Sequence, residues 1–421
     1  MREDWAECCF EDLLDYEQPT NYIVESTNYN DSFKTPVLTA GKSFILGYTN
    51  ETTGIFKSLP TIIFDDFTTA SQFVDFEFKV KSSAMKILVP TSKRVNLKFV
   101  FYFMQVNKVR SDTHKRYWIS VFAKNKLQLP PITIQKAIVN KIENLFLNID
   151  KGIADLKTAQ EQLKVYRQAV LKKAFEGGFT NKNVKEGELP EGWKWVKLNV
   201  LAKVLSGFAF KSTDFSEEGV PVIKIANVGY SEFVKKEQQY LPQSFLMANK
   251  DYVIYADDLL IALTRPITNN TTKVCLYPKN IGEGLLNQRV ACIKNIITDK
   301  SYLFLFFQTD TFKRYIRSKF SETLQPNLSP KDLANSPVPI PPTHTEQHAI
   351  VREIESRLSV CDKVEQNIAE ALEKAEALRQ SILKKAFEGK LLSEAEIAKC
   401  KQEADYEPAS ELLKKIKAEK K

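Results

Sequence analysis

The chain has 421 residues, 43% of them hydrophobic and 27% charged, with a formal net charge of +8. That length predicts two or three domains, with enough apolar residue to bury several cores without a metal or disulfide staple. Three histidines and six cysteines without CxxC spacing exclude a histidine-rich metal centre and point to reduced thiols. No apolar run reaches the ~18 residues of a membrane span. Met1-Arg2-Glu3-Asp4 does not open a signal peptide, so a cytoplasmic protein is expected.

Residues 1–31 carry one arginine against nine acids, whereas residues 32–129 carry fifteen Lys/Arg against six. Within 1–128, residues 37–48 (Val37, Leu38, Phe44, Ile45, Leu46), 61–65, 73–80 and 86–89 read as short strands between Gly, Pro and Asn turns. Leu97 to Asn107 reads as a helix. From Leu129-Pro130-Pro131 the pattern changes: Ile138, Ile142, Phe146, Ile149, Ile153, Leu156, Ala159, Leu163, Tyr166 and Val170 step by three or four. This predicts one long helix, capped by Thr133 and stopped at Gly177-Gly178. After a linker, 190–338 again reads as short strands: Val220–Ile225, Tyr252–Tyr255, Leu259–Leu263, Lys273–Leu276 and Val290–Ile293. A helix is predicted over Ser301–Lys319. Ile340-Pro341-Pro342 then opens a second long helix, with Ile350, Ile354, Leu358, Cys361, Ile368, Ala371, Ala375, Leu378 and Ile382 on its stripe, Thr345 as cap and Gly389 as stop.

The two helices are a repeat. Gln135–Gly177 and Gln347–Gly389 share 19 identities in 43 positions, ending in Leu-Lys-Lys-Ala-Phe-Glu-Gly twice. A helix of that length, at ~1.5 Å per residue, with a narrow apolar stripe needs another helix along it. The other copy, running antiparallel, is the nearest partner; a coiled coil between two chains is the alternative. The fold class expected is α+β: two globular mixed α/β domains of the same fold, separated by two long antiparallel helices forming an intramolecular coiled coil. The divisions are 1–128, helix 129–178, linker 179–189, 190–338, helix 339–390 and a tail, 391–421.

Catalytic constellations are sparse. Ala40-Gly41-Lys42-Ser43 matches the end of a phosphate-binding loop, but Pro36 stands where that loop needs glycine, and Phe44-Ile45-Leu46 reads as strand. No Asn/Asp-Pro-Pro-aromatic motif of an amino-methyltransferase is present. Asp66 with Glu77-Phe78-Lys79 has nuclease-like spacing. Against it, Val74, Phe76, Phe78 and Val80 alternate with Asp75, Glu77 and Lys79, which would place the latter three on a solvated strand face. His114 stands beside Lys115-Arg116-Tyr117 and suits phosphate contact better than catalysis. Basic charge is the more informative signal: 32–129 has a net charge of +9 and 190–340 a net charge of +5, the footprint of phosphate binding.

This layout resembles the DNA-specificity subunits of type I restriction–modification systems over nearly the whole chain. The resemblance rests on Val338-Pro339-Ile340-Pro341-Pro342, the twin Lys-Lys-Ala-Phe-Glu-Gly endings and Leu189-Pro190-Glu191-Gly192-Trp193 ahead of the second domain. Further similar pieces are Ser206-Gly207-Phe208-Ala209-Phe210-Lys211, Leu286-Asn287-Gln288-Arg289, Gln325-Pro326-Asn327-Leu328-Ser329 and the tail Tyr406–Leu413. The first domain departs from the pattern, with only Trp5 where a Leu-Pro-x-Gly-Trp opening stands in the family. The resemblance implies two target-recognition domains, each reading one half of a split DNA sequence, with the helices fixing the gap. It implies partners as well: double-stranded DNA, two methyltransferase subunits and two restriction/motor subunits, the partners using S-adenosylmethionine, ATP and Mg. No cofactor, metal or catalytic residue is expected in this chain. The competing expectation is a coiled-coil scaffold with two adaptor domains and no DNA role.

Base edges are read by Arg, Lys, Asn and Gln, with phosphate contacts fixing position. On that chemistry the candidates in the second domain are Lys211, Lys224, Asn227, the loop Thr264–Lys273 (Arg265, Asn269, Asn270, Lys273), Asn287, Gln288, Arg289, Gln325 and Asn327. A plain polar hairpin turn is the other reading of that loop. In the first domain they are Thr39, Lys42, Tyr48, Thr49, Asn50, Lys57, Lys115, Arg116 and Tyr117.

Overall fold

Short β-rich stretches that cannot bury both faces alone pair into small sheets, and the long amphipathic stretches become helices laid against them. The computed structural model describes residues 3–41, 43–106, 117–181, 184–185, 187–235, 238–320 and 326–420. It divides into two units, 1–156 with 370–421 and 157–369. The division falls inside both long helices.

In chain order the first unit opens with β1 (Ala6–Cys9), α1 (Phe10–Leu13) and β2 (Leu14–Glu17). Strands β3 (Thr35–Leu38), β4 (Ile45–Thr49), β5 (Thr61–Asp65), β6 (Ser71–Val74), β7 (Lys79–Val80) and β8 (Met85–Pro90) follow. Helices α2 (Leu97–Val106) and α3 (Tyr117–Ser120) precede β9 (Lys126–Leu129) and the first long helix, α4 (Ile132–Phe175). The second globular segment runs β10 (Lys194–Lys197), α5 (Leu198–Leu201), β11 (Lys203–Ser206), β12 (Val220–Ile223), β13 (Gln239–Leu241), α6 (Ser244–Ala248), β14 (Val253–Ile254) and β15 (Leu259–Ala262). It continues with β16 (Ile267–Thr268), β17 (Thr271–Thr272), β18 (Val274–Leu276), β19 (Gly284–Leu286), β20 (Val290–Lys294), α7 (Lys300–Phe306), α8 (Asp310–Arg317), α9 (Pro330–Ala334) and β21 (Pro337–Ile340). The second long helix, α10 (His344–Phe387), is followed by α11 (Glu394–Lys401) and α12 (Ala409–Glu419).

Both segments have the same topology, as the sequence predicts despite their dissimilarity. One sheet is ordered β2-β8-β5-β6 in the first and β11-β20-β15-β18 in the second, all antiparallel. The other is built on a parallel pair, β3 with β7 or β12 with β19, flanked by β4 or β13, and in the second segment β14 adds a fourth strand beside β19. A two-stranded ribbon closes each segment, β1 with β9 and β10 with β21.

The halves of the long helices pair antiparallel within each unit. In the first, Arg379 bridges to Asp150; in the second, Arg167 reaches Asp362 at 2.7 Å and Glu365 at 2.9 Å. The repeated phenylalanine ends each helix in an aromatic socket. Phe175 meets Tyr302 and Phe306 edge-on at 4.8 and 5.5 Å, and Phe387 meets Phe99 and Phe103 at 5.3 and 4.9 Å. The tail folds back on the first unit. Leu392, Ile397, Cys400, Leu412 and Ile416 enter its core, and Lys141–Glu396, Lys401–Asp4 and Lys417–Asp12 bridge at 2.8, 3.0 and 3.1 Å.

Several local expectations are corrected. Thr343, not Thr345, caps α10, accepting from the Glu346 N–H at 3.2 Å, and Thr133 lies inside α4 with its hydroxyl buried. The stripe is unevenly buried: Ile138, Ile142, Val170, Ile350, Ile354, Cys361, Ile368 and Ile382 are covered, whereas Tyr166 and Leu378 are 45% and 50% exposed. Residues 301–319 form two helices, not one: Thr309 accepts from the Phe312 N–H at 3.1 Å and starts a new N-terminus. Residues 73–80 are likewise two strands in different sheets. Residues 39–41 and 43–44 lie between β3 and β4, and β4 rather than a helix follows them. Among the described residues no helix is long and apolar enough to cross a membrane, and the six cysteines are free thiols.

Candidate nucleic-acid interface

The antiparallel order of β11, β20, β15 and β18 brings the end of β11, the start of β20, the end of β15 and the start of β18 to one end of the sheet. Ser206 pairs with Ala291, Ala262 with Val290 and Ile261 with Val274 there. Backbone bonds then lock the connecting loops together. Leu263 donates to Arg289 O at 2.9 Å, Leu328 to Leu263 O at 2.8 Å and Arg265 to Pro326 O at 2.8 Å. Phe208 donates to Leu286 O at 2.9 Å and Gln288 to Phe208 O at 3.0 Å. Gly207 makes that approach possible, since a Cβ there would stand 2.1 Å from Leu286 O. Four segments that are far apart in sequence thus share one rim.

On this rim Arg265, Gln288, Arg289 and Asn327 are exposed. Asn269 and Asn270 form the two-residue turn of the β16–β17 hairpin, both with positive φ, +48° and +59°, as a primed turn requires. The loop is therefore a hairpin, and its tip is tied down. Arg317 donates to Asn270 Oδ1 at 2.7 Å, and the buried Lys313 ammonium donates to Asn270 O at 3.1 Å, to Gln168 Oε1 at 3.1 Å and to Asp310 Oδ1 at 2.6 Å. Asn270 is thereby committed to structure, whereas Asn269 remains exposed. Lys313 and Arg317 carried no signal in the sequence, because a helical lysine is read as solvated unless its burial is seen.

The remaining candidates separate by burial. Asn287 is half-buried and accepts from the Arg289 N–H at 3.3 Å, which shapes the turn. Lys273 is half-buried; Lys211 is exposed and follows β11. Lys224 donates to Gln239 and lies 4.4 Å over the Phe215 ring, and burial lowers its ammonium below the usual lysine range. Asn227 is a correction: it is 2% exposed, with Oδ1 accepting from the Lys224 N–H at 2.9 Å and Nδ2 donating to Val234 O at 3.0 Å.

In the first domain the described candidates divide: Tyr117 stands at the equivalent rim, its N–H donating to Asp66 O at 3.1 Å, and the others lie elsewhere. Thr39, Tyr48, Asn50 and Lys57 belong to the β3–β4 hairpin and the loop after it; Thr39 and Tyr48 are half-buried, and Lys57 pairs with Glu77 at 3.4 Å. Thr49 and Tyr117 are corrections, 2% and 6% exposed. Lys42, Lys115, Arg116 and Gln325 lie outside the described residues, as does His114. The nuclease-like triplet comes apart. Asp66 accepts from the Trp118 N–H at 2.9 Å and pairs with Lys86 at 3.7 Å, both buried. Lys79, expected on a solvated face, is buried against Glu51 at 2.8 Å and Thr53 O at 2.8 Å, whereas Asp75, Phe76 and Glu77 are exposed. Among the described residues no three His, Cys, Asp or Glu side chains are grouped to hold a metal.

Comparison with known proteins follows the same outline. A family model described as "Type I restriction modification DNA specificity domain" matches residues 190–374. The MjaVIII specificity subunit of Methanocaldococcus jannaschii is 30% identical over 329 residues, covering 74% of each chain. The chain belongs to the type I restriction enzyme specificity subunits. The EcoR124I/EcoR124II specificity subunit of Escherichia coli is 29% identical over 387 residues, 88% of this chain and 89% of that one. Solved structures agree on the fold of this specificity subunit. The HsdS subunit from Thermoanaerobacter tengcongensis has a TM-score of 0.56 at 19% identity, covering 93% of this chain and 98% of its own. A chain solved in work on assembly and conformational transition of the type I R-M system reaches 0.68 at 19% identity, covering 93% and 99%. In this specificity subunit the family model spans the second sheet and its rim together with most of α10.

Proposed function

We propose that this chain is the DNA-reading subunit of a type I restriction–modification assembly. Each globular domain reads one half of a bipartite target, and the repeated helices set the gap between halves. In this reading the domains are 1–128 and 190–338, the helical modules 129–178 and 339–390, and 391–421 a stabilising tail. The chain is non-catalytic and cytoplasmic. Two methyltransferase subunits modify the target with S-adenosylmethionine, and two motor subunits restrict with ATP and Mg. Double-stranded DNA is its ligand.

The observation that carries the reading is the rim of the second domain, where exposed Arg265, Gln288 and Arg289 are held by backbone bonds rather than left on free loops. Guanidinium and amide groups in fixed positions suit guanine and adenine edges in the major groove. Two such domains on one spacer gain affinity only for half-sites at the matching separation. The test is selection from a randomised duplex pool by the chain with its methyltransferase subunits. A bipartite motif with a fixed gap is expected, with binding that weakens steeply as salt rises. Enrichment of no motif, or salt-insensitive retention of DNA, rejects the reading in favour of a scaffold without a DNA role.

A further inference from the structure

The two domains can be placed in register bond by bond. Asp66 N–H donates to Ala84 O at 3.1 Å as Leu263 N–H donates to Arg289 O at 2.9 Å. Tyr117 N–H donates to Asp66 O at 3.1 Å as Leu328 N–H donates to Leu263 O at 2.8 Å. Thr91 N–H donates to Leu13 O at 2.9 Å as Ile297 N–H donates to Leu201 O at 2.9 Å. The first two correspondences set Asp66 opposite Leu263 and Ala84 opposite Arg289. Phe67 and Thr68 then occupy the places of Thr264 and Arg265, and Ser83 that of Gln288.

The first-domain rim is as firmly held as the second, by different means. Asp65 Oδ1 accepts from the N–H groups of Phe67 and Thr68 at 2.8 and 2.9 Å, and Asp65 O accepts from Thr69, whose φ is +57°, at 2.9 Å. Beneath this loop the buried Asp66–Lys86 pair extends to Gln18 Oε1, which accepts from Lys86 at 2.9 Å, and to the Tyr16 ring. Presented outward are Phe67, 41% exposed, with Thr68, Lys81, Ser82 and Ser83. Among the described residues this rim carries no arginine. One exposed phenylalanine is ordinary on a protein surface. On a pinned loop, one residue before the counterpart of Arg265, it has a specific counterpart: the 5-methyl group of thymine, the apolar feature of the major groove.

We infer that the first domain reads its half-site through Phe67 and the hydroxyls beside it, with the Phe67 ring on a thymine methyl. This rests on the DNA-recognition reading above and adds to the candidates expected from sequence, Thr39 to Lys57 with Lys115, Arg116 and Tyr117. The test uses the full chain and the duplex it selects from a random pool. Each thymine is replaced in turn by deoxyuracil, which removes the methyl and leaves the protein untouched. One replacement, in the half-site that Arg289→Ala does not affect, is expected to weaken binding about fourfold, the value of one buried methyl. In Phe67→Ala that same replacement is expected to have no further effect. If no uracil weakens binding while Arg289→Ala still relaxes its own half-site, the Phe67 assignment is wrong and the DNA reading stands. If the uracil penalty persists undiminished in Phe67→Ala, the assignment is also wrong. If the wild-type chain selects no motif, both fall.

Discussion

Replacing Lys313 by methionine isolates what holds the β16–β17 hairpin. The side chain is 2% exposed, and its ammonium has three acceptors: Asp310 at 2.6 Å, Gln168 at 3.1 Å and the Asn270 carbonyl at 3.1 Å. Methionine keeps most of the packing volume and removes every donor. Charge-assisted hydrogen bonds contribute about 1.5–3 kcal/mol each, and a buried acceptor left unpaired costs about 1–3 kcal/mol. Asp310 is 55% exposed and rehydrates, so its loss is small. Gln168 and the Asn270 carbonyl bear most of the penalty, partly offset by the apolar side chain. The expected net loss is about 2–3 kcal/mol. For a unit of roughly 200 residues that is about 4–12 °C in Tm at 2–4 °C per kcal/mol. Scanning calorimetry reads the transition, and selection from a random pool reads the half-site, which is expected to blur as the hairpin loosens. Arg317→Ala, at an exposed position, is the milder comparison, at about 1 kcal/mol or less. A Lys313→Met protein within about 0.5 kcal/mol of wild type, with an unchanged motif, would falsify the view that this ammonium fixes the hairpin.

Four further outcomes are expected. Arg265→Ala and Arg289→Ala each lose about 1–3 kcal/mol of discrimination at one base position, visible as a degenerate letter in the selected motif; an intact motif in both places the reading surface elsewhere. Phe175→Ala, which empties an aromatic socket 4% exposed, costs about 3–5 kcal/mol in denaturant unfolding, and a loss below about 1 kcal/mol rejects the socket as an anchor. Lys141 and Ser393 hold Glu396 down to about 2 from its usual 4.5, so its contribution to tail docking is complete above pH 4.5 and is lost as pH falls from there towards 2. Proteolysis of the tail is accordingly expected to accelerate across that window in wild type and to change less in Glu396→Gln. Four residues inserted near Ala159 add ~6 Å of helix and keep the apolar stripe nearly in phase, so the recognised gap is expected to change by about one or two base pairs. An unchanged gap at full activity removes the helices as spacer.

Much of the architecture was legible because it rests on periodicity. The step of three or four through Ile138–Val170, bounded by Pro130-Pro131 and Gly177-Gly178, locates α4 closely, and short continuous apolar runs place β5, β8, β15 and β20 within a residue or two. What escaped depends on contacts across sequence. Lys79, Lys86 and Lys313 are buried because Glu51, Asp66 and Asp310 meet them, and nothing local marks a lysine for burial. Asn227, Thr49 and Tyr117 were chosen for their hydrogen-bonding chemistry, and the fold uses two of them to brace turns and buries the third beside Asp66. The break before α8 turns on one hydroxyl, that of Thr309, which in sequence is a threonine among helix-compatible neighbours. The rim was half legible. In the second domain the loops named from sequence do converge; in the first, Tyr117 meets the rim at Asp66 O, and Phe67 carries no signal until the two domains are matched bond by bond.

The docking of α11 and α12 on the opening strands has a consequence for synthesis on the ribosome. The second unit is one unbroken stretch of chain, 157–369, and has all its parts once that stretch has emerged. The first unit is discontinuous: Asp4, Glu11 and Asp12 wait for Lys401, Lys420 and Lys417. At about 5–20 residues per second, those partners arrive on the order of tens of seconds after residue 156 has been made. The N-terminal domain is therefore the last to be finished, and a polypeptide released early carries a complete second domain beside an open first one.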